Sequence, residues 1–261
     1  MSSLVTIERR EGYAVVRLNR PDKKNALNRA ARRELFDALT SLRTESRAIV
    51  LTGCGDGFCS GVDLKEARAD AEAGMAADPR SDWIDVLIAI REHPAVFIAA
   101  VNGIALGGGA TLISVCDLAV AADEAEIGMP EIGFGAYPQF SGPGAQIQLT
   151  AKRAAWLVLT AQRIDGRTAE NWGMVNRSVP LAGLMDEAER LAKIISAFDP
   201  VVLSESKRVL DVIPASISGW RQSFEYGLAT NARIRSSSAA QDQGFSRFSA
   251  GARNPGQGRS T

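Results

Sequence analysis

The sequence predicts an α/β core followed by a helical C-terminal part. Three observations carry that reading. Short apolar, strand-like runs alternate with helical repeats over the first half of the 261-residue chain. Beyond Ala151 the pattern is helical throughout. The length suits one α/β domain with an appendage and allows a large core without disulfides or metal.

The elements follow in order. Leu4–Glu8 and Tyr13–Leu18 read as strands joined by a turn at Glu11-Gly12. Leu27, Ala31, Leu35, Ala38, Leu39 and Leu42 recur at helical spacing, which predicts an amphipathic helix over Asn25–Arg43. Ala48–Thr52 is a buried strand running into the glycine-rich loop 53–57. Leu64–Ala73 and Asp82–Glu92 are helical. Ala95–Cys116 has 22 residues without a charge, long enough to cross a bilayer. The turn pair Asn102-Gly103 and the run Gly107-Gly108-Gly109 interrupt it. It is therefore read as a buried strand, Val96–Val101, a tight turn, and a short helix over Gly109–Val115. Leu118–Ala122 is another strand. Helices are expected at Ala151–Thr160, Thr168–Trp172, Leu181–Phe198, Val201–Ile213 and Ser218–Arg235. The joint at Asp199-Pro200 divides a core, 1–199, from a helical part, 200–261, with a flexible tail from Gly251 to Thr261.

Charge and rare residues exclude several functions. Thirty basic residues balance thirty acidic ones, so no basic field exists to hold nucleic acid or an acidic membrane. Cys54, Cys59 and Cys116 lack paired spacing and only His93 could join them, which argues against zinc. The odd cysteine count fits a reducing compartment, and the N-terminus shows no export or organelle signal, so a cytoplasmic location is expected. A Ser–His–Asp hydrolase could draw on Ser60 and His93, but no G-x-S-x-G elbow occurs. His93 before Pro94 reads as a surface residue.

Three segments could carry chemistry. Gly107-Gly108-Gly109 enters a helix, where free N–H groups suit a phosphate or an oxyanion; alone, such a cluster is as well read as a packing turn. Phe58-Cys59-Ser60-Gly61-Val62-Asp63-Leu64-Lys65 also ends at a helix start, and its plain reading is a capped connection with Asp63 as the cap. Glu131, in Met129-Pro130-Glu131-Ile132-Gly133, is a carboxylate among apolar residues and glycines: a general base, or a solvated loop charge.

Together and in this order, the segments resemble the crotonase (enoyl-CoA hydratase/isomerase) superfamily. Asn19-Arg20-Pro21 with Lys24-Asn25-Ala26-Leu27 is similar to its first signature. The Phe58–Lys65 loop, Ala99–Gly109, Cys116-Asp117-Leu118, Met129–Gly133 and the stretch from Arg163 to Val175 follow it. The resemblance covers roughly residues 4 to 250. It implies a right-handed spiral of ββα units, with C-terminal helices that support a homotrimer or homohexamer. It also implies an acyl-CoA thioester substrate, coenzyme A being carried as part of it with no further cofactor. The backbone N–H groups of Val62 and Gly108 would form the oxyanion hole. Lys24, Ala26 and Lys65, with Ser60, Asp63 and Leu64 of the same loop, lie where the family contacts coenzyme A.

This sequence departs from the family pattern at three places. Two-glutamate hydratases carry a glutamate just after the glycine turn; here that position is Thr111, while Glu131 is retained. One base suffices for a 1,3 proton shift, so double-bond isomerisation of an enoyl-CoA is the expected reaction. Hydration, with Thr111 holding a water, a lyase or thioester-hydrolase reaction, and a non-catalytic CoA-ester binder are the alternatives. After Glu131 the usual P-G-x-G-G-T-Q stretch is replaced by Pro138–Gln146, leaving Tyr137, Gln139 and Phe140 as candidate acyl-pocket lining. The basic pair of the C-terminal F-x-E-K-R segment is lost.

Overall fold

A computed structural model describes residues 3–73 and 82–251. Strands β1 (Val5–Arg9) and β2 (Tyr13–Leu18) form the expected hairpin. β2 then pairs in parallel with β3 (Ala48–Gly53), and the sheet extends through β5 (Val96–Val101), β7 (Leu118–Ala122) and β9 (Arg177–Val179). Its central strands are covered on both faces, which is why β3 and β5 are apolar runs rather than alternating ones.

A second sheet escapes the sequence reading. β4 (Gly57–Cys59), β6 (Ile104–Leu106) and β8 (Ile127–Gly128) pair in parallel in that order. Each follows a strand of the large sheet: β3 leads to β4, β5 to β6, β7 to β8. The chain thus repeats a ββα unit whose first strand joins the large sheet and whose second joins the small one.

Helix α1 (Arg29–Leu42) begins four residues later than its apolar spacing suggests. Pro21–Lys23 form a single 3-10 turn, and Lys24 and Asn25 adopt left-handed φ values of 47° and 56°. Asn25 is buried there. Its Oδ1 accepts from the Arg20 N–H, and its Nδ2 donates to the Cys54 and Gly57 carbonyls. The helix starts only after Asn28, whose Oδ1 accepts from the Ala31 N–H.

Helices α2 (Leu64–Glu72), α3 (Asp82–Arg91) and α4 (Gly108–Val115) stand close to expectation. After a 3-10 helix at Pro130–Phe134 come α5 (Ser141–Gln148), α6 (Ala151–Thr160), α7 (Gly166–Trp172) and α8 (Leu184–Ser196). α8 packs across β3, β5 and β7. α9 (Pro200–Ser216), capped by Asp199, then packs against α10 (Trp220–Ser237), and α11 (Ala240–Ser249) follows. Residues 252–261, most of the tail expected to be flexible, lie outside the described residues. No helix among the described residues is long and apolar enough to cross a membrane.

One expectation is corrected. His93 is not at the surface: it is 2% exposed, with Nδ1 accepting from the Ala95 N–H and Nε2 facing the Leu39 carbonyl. The Ala95 bond leaves the ring proton on Nε2, which donates to Leu39. Burial, and then the charges of Lys207 and Arg43, push its pKa down to about 4, although the bond to Leu39 opposes this. In the C-terminal part, Val202, Val209 and Ile213 are half-buried. The apolar side chains left exposed are others, among them Leu210 (74%), Trp220 (79%), Phe224 and Leu228.

Candidate active site

The small sheet builds the site. Its three parallel strands end side by side, with Ala105 in register with both Cys59 and Ile127. Their carboxyl ends release three segments at one place: Ser60-Gly61-Val62 after β4, Gly107-Gly108 after β6, and Met129-Pro130-Glu131 after β8. These are the three segments singled out in the sequence.

The first two segments meet backbone to backbone. A side chain on Gly61 would lie 2.8 Å from the Leu106 carbonyl and 3.2 Å from the Gly108 nitrogen, and Gly61 has φ +94°. Only glycine fits at that approach. Val62 bridges to Leu27, but the bridge uses the Leu27 and Asp63 N–H groups and leaves the Val62 N–H outside it. Gly108 is the first residue of α4, so its N–H has no carbonyl one turn back. Among the described residues, two unengaged donors therefore stand on adjacent segments.

The third segment brings the carboxylate. Gly107, at φ +51°, lies so close to Glu131 that a side chain there would meet Oε1 at 2.9 Å. Ser141 Oγ donates to the same Oε1 at 3.2 Å. Oε2 is buried and has no hydrogen-bond partner among the described residues. A cavity of about 280 Å³ is lined by Val62, Gly108, Glu131, Trp83, Tyr137 and Phe140, with Gln139 and Phe134 also on its wall. The residues proposed from sequence for an acyl pocket thus share one cavity with the donors and the carboxylate.

A second groove shares Ser60, Val62 and Leu64 with that cavity and adds Ala26, Asp63 and Lys65. It brings together five of the six residues expected to contact coenzyme A. The sixth, Lys24, turns to Asp56 at 2.5 Å, and Lys23 lines the groove instead. Asp63 does cap the turn, accepting from the Lys65 N–H, and is also paired with Arg20 at 3.0 Å. Burial opposes ionisation of Asp63, but Arg20 and the backbone donors hold its carboxyl below the usual range.

Other candidates fall elsewhere. Thr111 is buried, donates to the Gly107 carbonyl at 3.1 Å, and does not line the cavity. His93 packs under α1 and β5 and is bonded to backbone, so it forms no triad with Ser60. Cys59 and Cys116 are buried, and burial pushes both thiols up, Cys59 to about 12. No cluster of metal-ligating side chains occurs among the described residues. A larger cavity, about 610 Å³, lies between Arg47, Phe198 and the last helices and contains none of the candidate residues. Sequence reasoning missed Trp83 and Ser141. Trp83 lay in a helix given no site role, and Ser141 in the stretch read only as a departure from the family pattern.

Comparison with known proteins gives the family. A family model described as enoyl-CoA hydratase/isomerase matches residues 8–212. The chain belongs to the enoyl-CoA hydratase/isomerase family. It is 32% identical over 253 residues to a hydroxycinnamoyl-CoA hydratase-lyase of Pseudomonas fluorescens, covering 94% of this chain and 91% of that one. It is 33% identical over 212 residues to a short-chain-enoyl-CoA hydratase of Clostridium acetobutylicum, covering 79% and 80%. A solved enoyl-CoA hydratase of Mycobacterium smegmatis superposes with a TM-score of 0.85 at 29% identity, covering 96% and 98%. One from Bacillus anthracis superposes with 0.86 at 26%, covering 95% and 96%. Thr111, where the resemblance expects the first glutamate of a two-glutamate hydratase, is buried.

Proposed function

We propose that this enzyme moves the double bond of an enoyl-CoA, using Glu131 as its single proton carrier. One observation carries the reading: among the described residues Glu131 is the only carboxylate lining the cavity, while the Thr111 hydroxyl is committed to its own helix. The thioester carbonyl accepts from the Val62 and Gly108 N–H groups. Glu131 Oε2 takes a proton from the carbon next to the carbonyl, and the electron pair moves onto the carbonyl oxygen. The two donors stabilise that oxyanion; losing one such donor in other enzymes costs about 3–4 kcal/mol. Glu131 then returns the proton two carbons further along, and the double bond comes to rest conjugated with the thioester. The groove of Ala26, Ser60, Asp63, Leu64 and Lys65 takes the coenzyme A arm. No separate cofactor is required, because the chain supplies both the base and the oxyanion donors.

Hydration is the second reading. The relatives named above are hydratases or a hydratase-lyase, and a carboxylate tethered at Oε1 with Oε2 available can also hold a water. The exposed side chains Leu210, Trp220, Phe224 and Leu228 support a homotrimer or homohexamer, and the reducing cysteine pattern supports a cytoplasmic setting. The test is product analysis with a 3-enoyl-CoA and a 2-enoyl-CoA. A product of unchanged mass and shifted double bond supports isomerisation. A product heavier by one water, with no isomer formed, overturns it.

A further inference from the structure

The wall of the acyl cavity carries hydrogen-bond donors that a hydrocarbon chain cannot use. Trp83 is 1% exposed, lines the cavity, and its Nε1 has no hydrogen-bond partner among the described residues. A methyl on Gly108 would touch Trp83 Cζ2 at 3.6 Å. Nε1 is two bonds from Cζ2, so the N–H edge of the indole borders the same space. An indole N–H is a donor only and is costly to bury unpaired. Tyr137 adds a second group. Its Oη accepts from Gln146 Nε2 at 2.7 Å, and the hydroxyl proton remains to be given. Charge narrows the ligand further. Among the described residues, Glu131 is the only carboxylate on the cavity wall, and no lysine, arginine or histidine lines it.

We propose that the wall of this cavity selects an uncharged, oxygen-bearing acyl group, whose oxygen accepts from Trp83 Nε1 with the Tyr137 hydroxyl as a second donor. A carboxylate on the acyl group would find no cation among the described residues of the wall and would meet Glu131. This inference rests on the acyl-CoA reading above and names the class of acyl group within it.

Calorimetric binding of saturated acyl-CoAs tests it. The series holds a hydrocarbon parent, analogues in which one methylene beyond the β-carbon is replaced by an ether oxygen at successive positions, and an analogue ending in a carboxylate. At least one ether analogue is expected to bind about tenfold more tightly than the parent, the scale of one buried hydrogen bond. That preference should vanish in Trp83→Phe and shrink in Tyr137→Phe, while the carboxylate binds no better than the parent. Parallel weakening of parent and ether analogues in Trp83→Phe, leaving their ratio intact, would place the indole on the common thioester and overturn the proposal. Binding of the parent without any ether preference overturns it while leaving the enzyme's function standing. If none of the acyl-CoAs binds, both readings fall.

Discussion

Ser141 donates to one oxygen of Glu131, at 3.2 Å, and leaves the other oxygen without a partner among the described residues. The two residues come from different elements: Glu131 from the 3-10 helix after β8, Ser141 from the first turn of α5. A carboxylate fixed at one oxygen keeps one direction for proton transfer. This relationship also orders the effects of mutation.

Glu131→Gln keeps size and shape but cannot carry a proton. Its kcat should fall by about 10²–10⁴ while acyl-CoA affinity changes little. Ser141→Ala removes only the tether and should lower kcat by roughly five- to tenfold, the scale of one hydrogen bond, with KM nearly unchanged. Steady-state kinetics on both variants checks this; a Ser141→Ala loss equal to that of Glu131→Gln would contradict the tether reading.

Gly61→Ala should damage the site from the backbone. The added methyl meets a carbonyl at 2.8 Å and an amide nitrogen at 3.2 Å, at a φ of +94°. Neither atom is the end of a flexible side chain, so the Val62 and Gly108 segments must separate. The expected result is a loss of about tenfold or more in kcat/KM, by misplacing one oxyanion donor, together with a lower melting temperature. Wild-type activity in a folded Gly61→Ala variant would show that the two segments tolerate separation.

Lys207 pins α9 to the core. Its Nζ, almost fully buried, donates to the Ile90 and Ala95 carbonyls and pairs with Asp117 at 2.9 Å. Lys207→Met removes three contacts and leaves Asp117 with Arg91 as its remaining cation. Breaking such a buried pair typically costs about 3–5 kcal/mol. Denaturant unfolding should report a loss on that scale, and a change under about 1 kcal/mol would show that the packing of α9 does not depend on the charge.

His93 makes stability depend on acid. Its folded pKa is pushed down to about 4 from an ordinary value of 6.5, chiefly by burial. The unfolded chain therefore binds more protons than the folded one between those values, and stability falls as pH drops through that window. A shift of that size corresponds to about 3 kcal/mol once pH is below the folded value. Unfolding midpoints measured between pH 7 and pH 4 should decline, and His93→Gln should flatten the decline at some cost in stability at pH 7.

The large sheet was legible, apart from its edge strand Arg177–Val179 in the stretch read as helical, because its buried strands are apolar runs bounded by turns, as in Ala48–Gly53 and Val96–Val101, whereas the edge strand has three residues and is only partly buried. α6 was legible to the residue at both ends. The small sheet was not: Gly57–Cys59, Ile104–Leu106 and Ile127–Gly128 are too short to show alternation, and two contain glycine. Yet that sheet is what aligns Val62, Gly108 and Glu131. The ordered motifs found the right segments without showing why they meet. α5 was missed because Gly142, Pro143 and Gly144 are poor helix residues, and Ser141 was missed with it. The polar Glu92 and the following Pro94 disguised His93 as a surface residue.

Thr111 separates the two reactions. Its hydroxyl and its own N–H both bond the Gly107 carbonyl, at 3.1 and 2.9 Å, so the carbonyl keeps a donor when the hydroxyl is removed. Thr111→Ala should therefore cost no more than about 1 kcal/mol of stability. For a double-bond shift the residue has no proton to move, and kcat should stay within about twofold of wild type, since a small buried change away from the reacting atoms has small effects. For hydration, a water held at this position would be lost and turnover would drop as it does in Glu131→Gln. The decisive measurement is the rate and the product for both variants side by side. Mild loss in Thr111→Ala with deep loss in Glu131→Gln, and an isomer as product, fits a single proton carrier. Deep loss in both, with a 3-hydroxyacyl-CoA as the wild-type product, would put a second group back into the chemistry and make hydration the reaction.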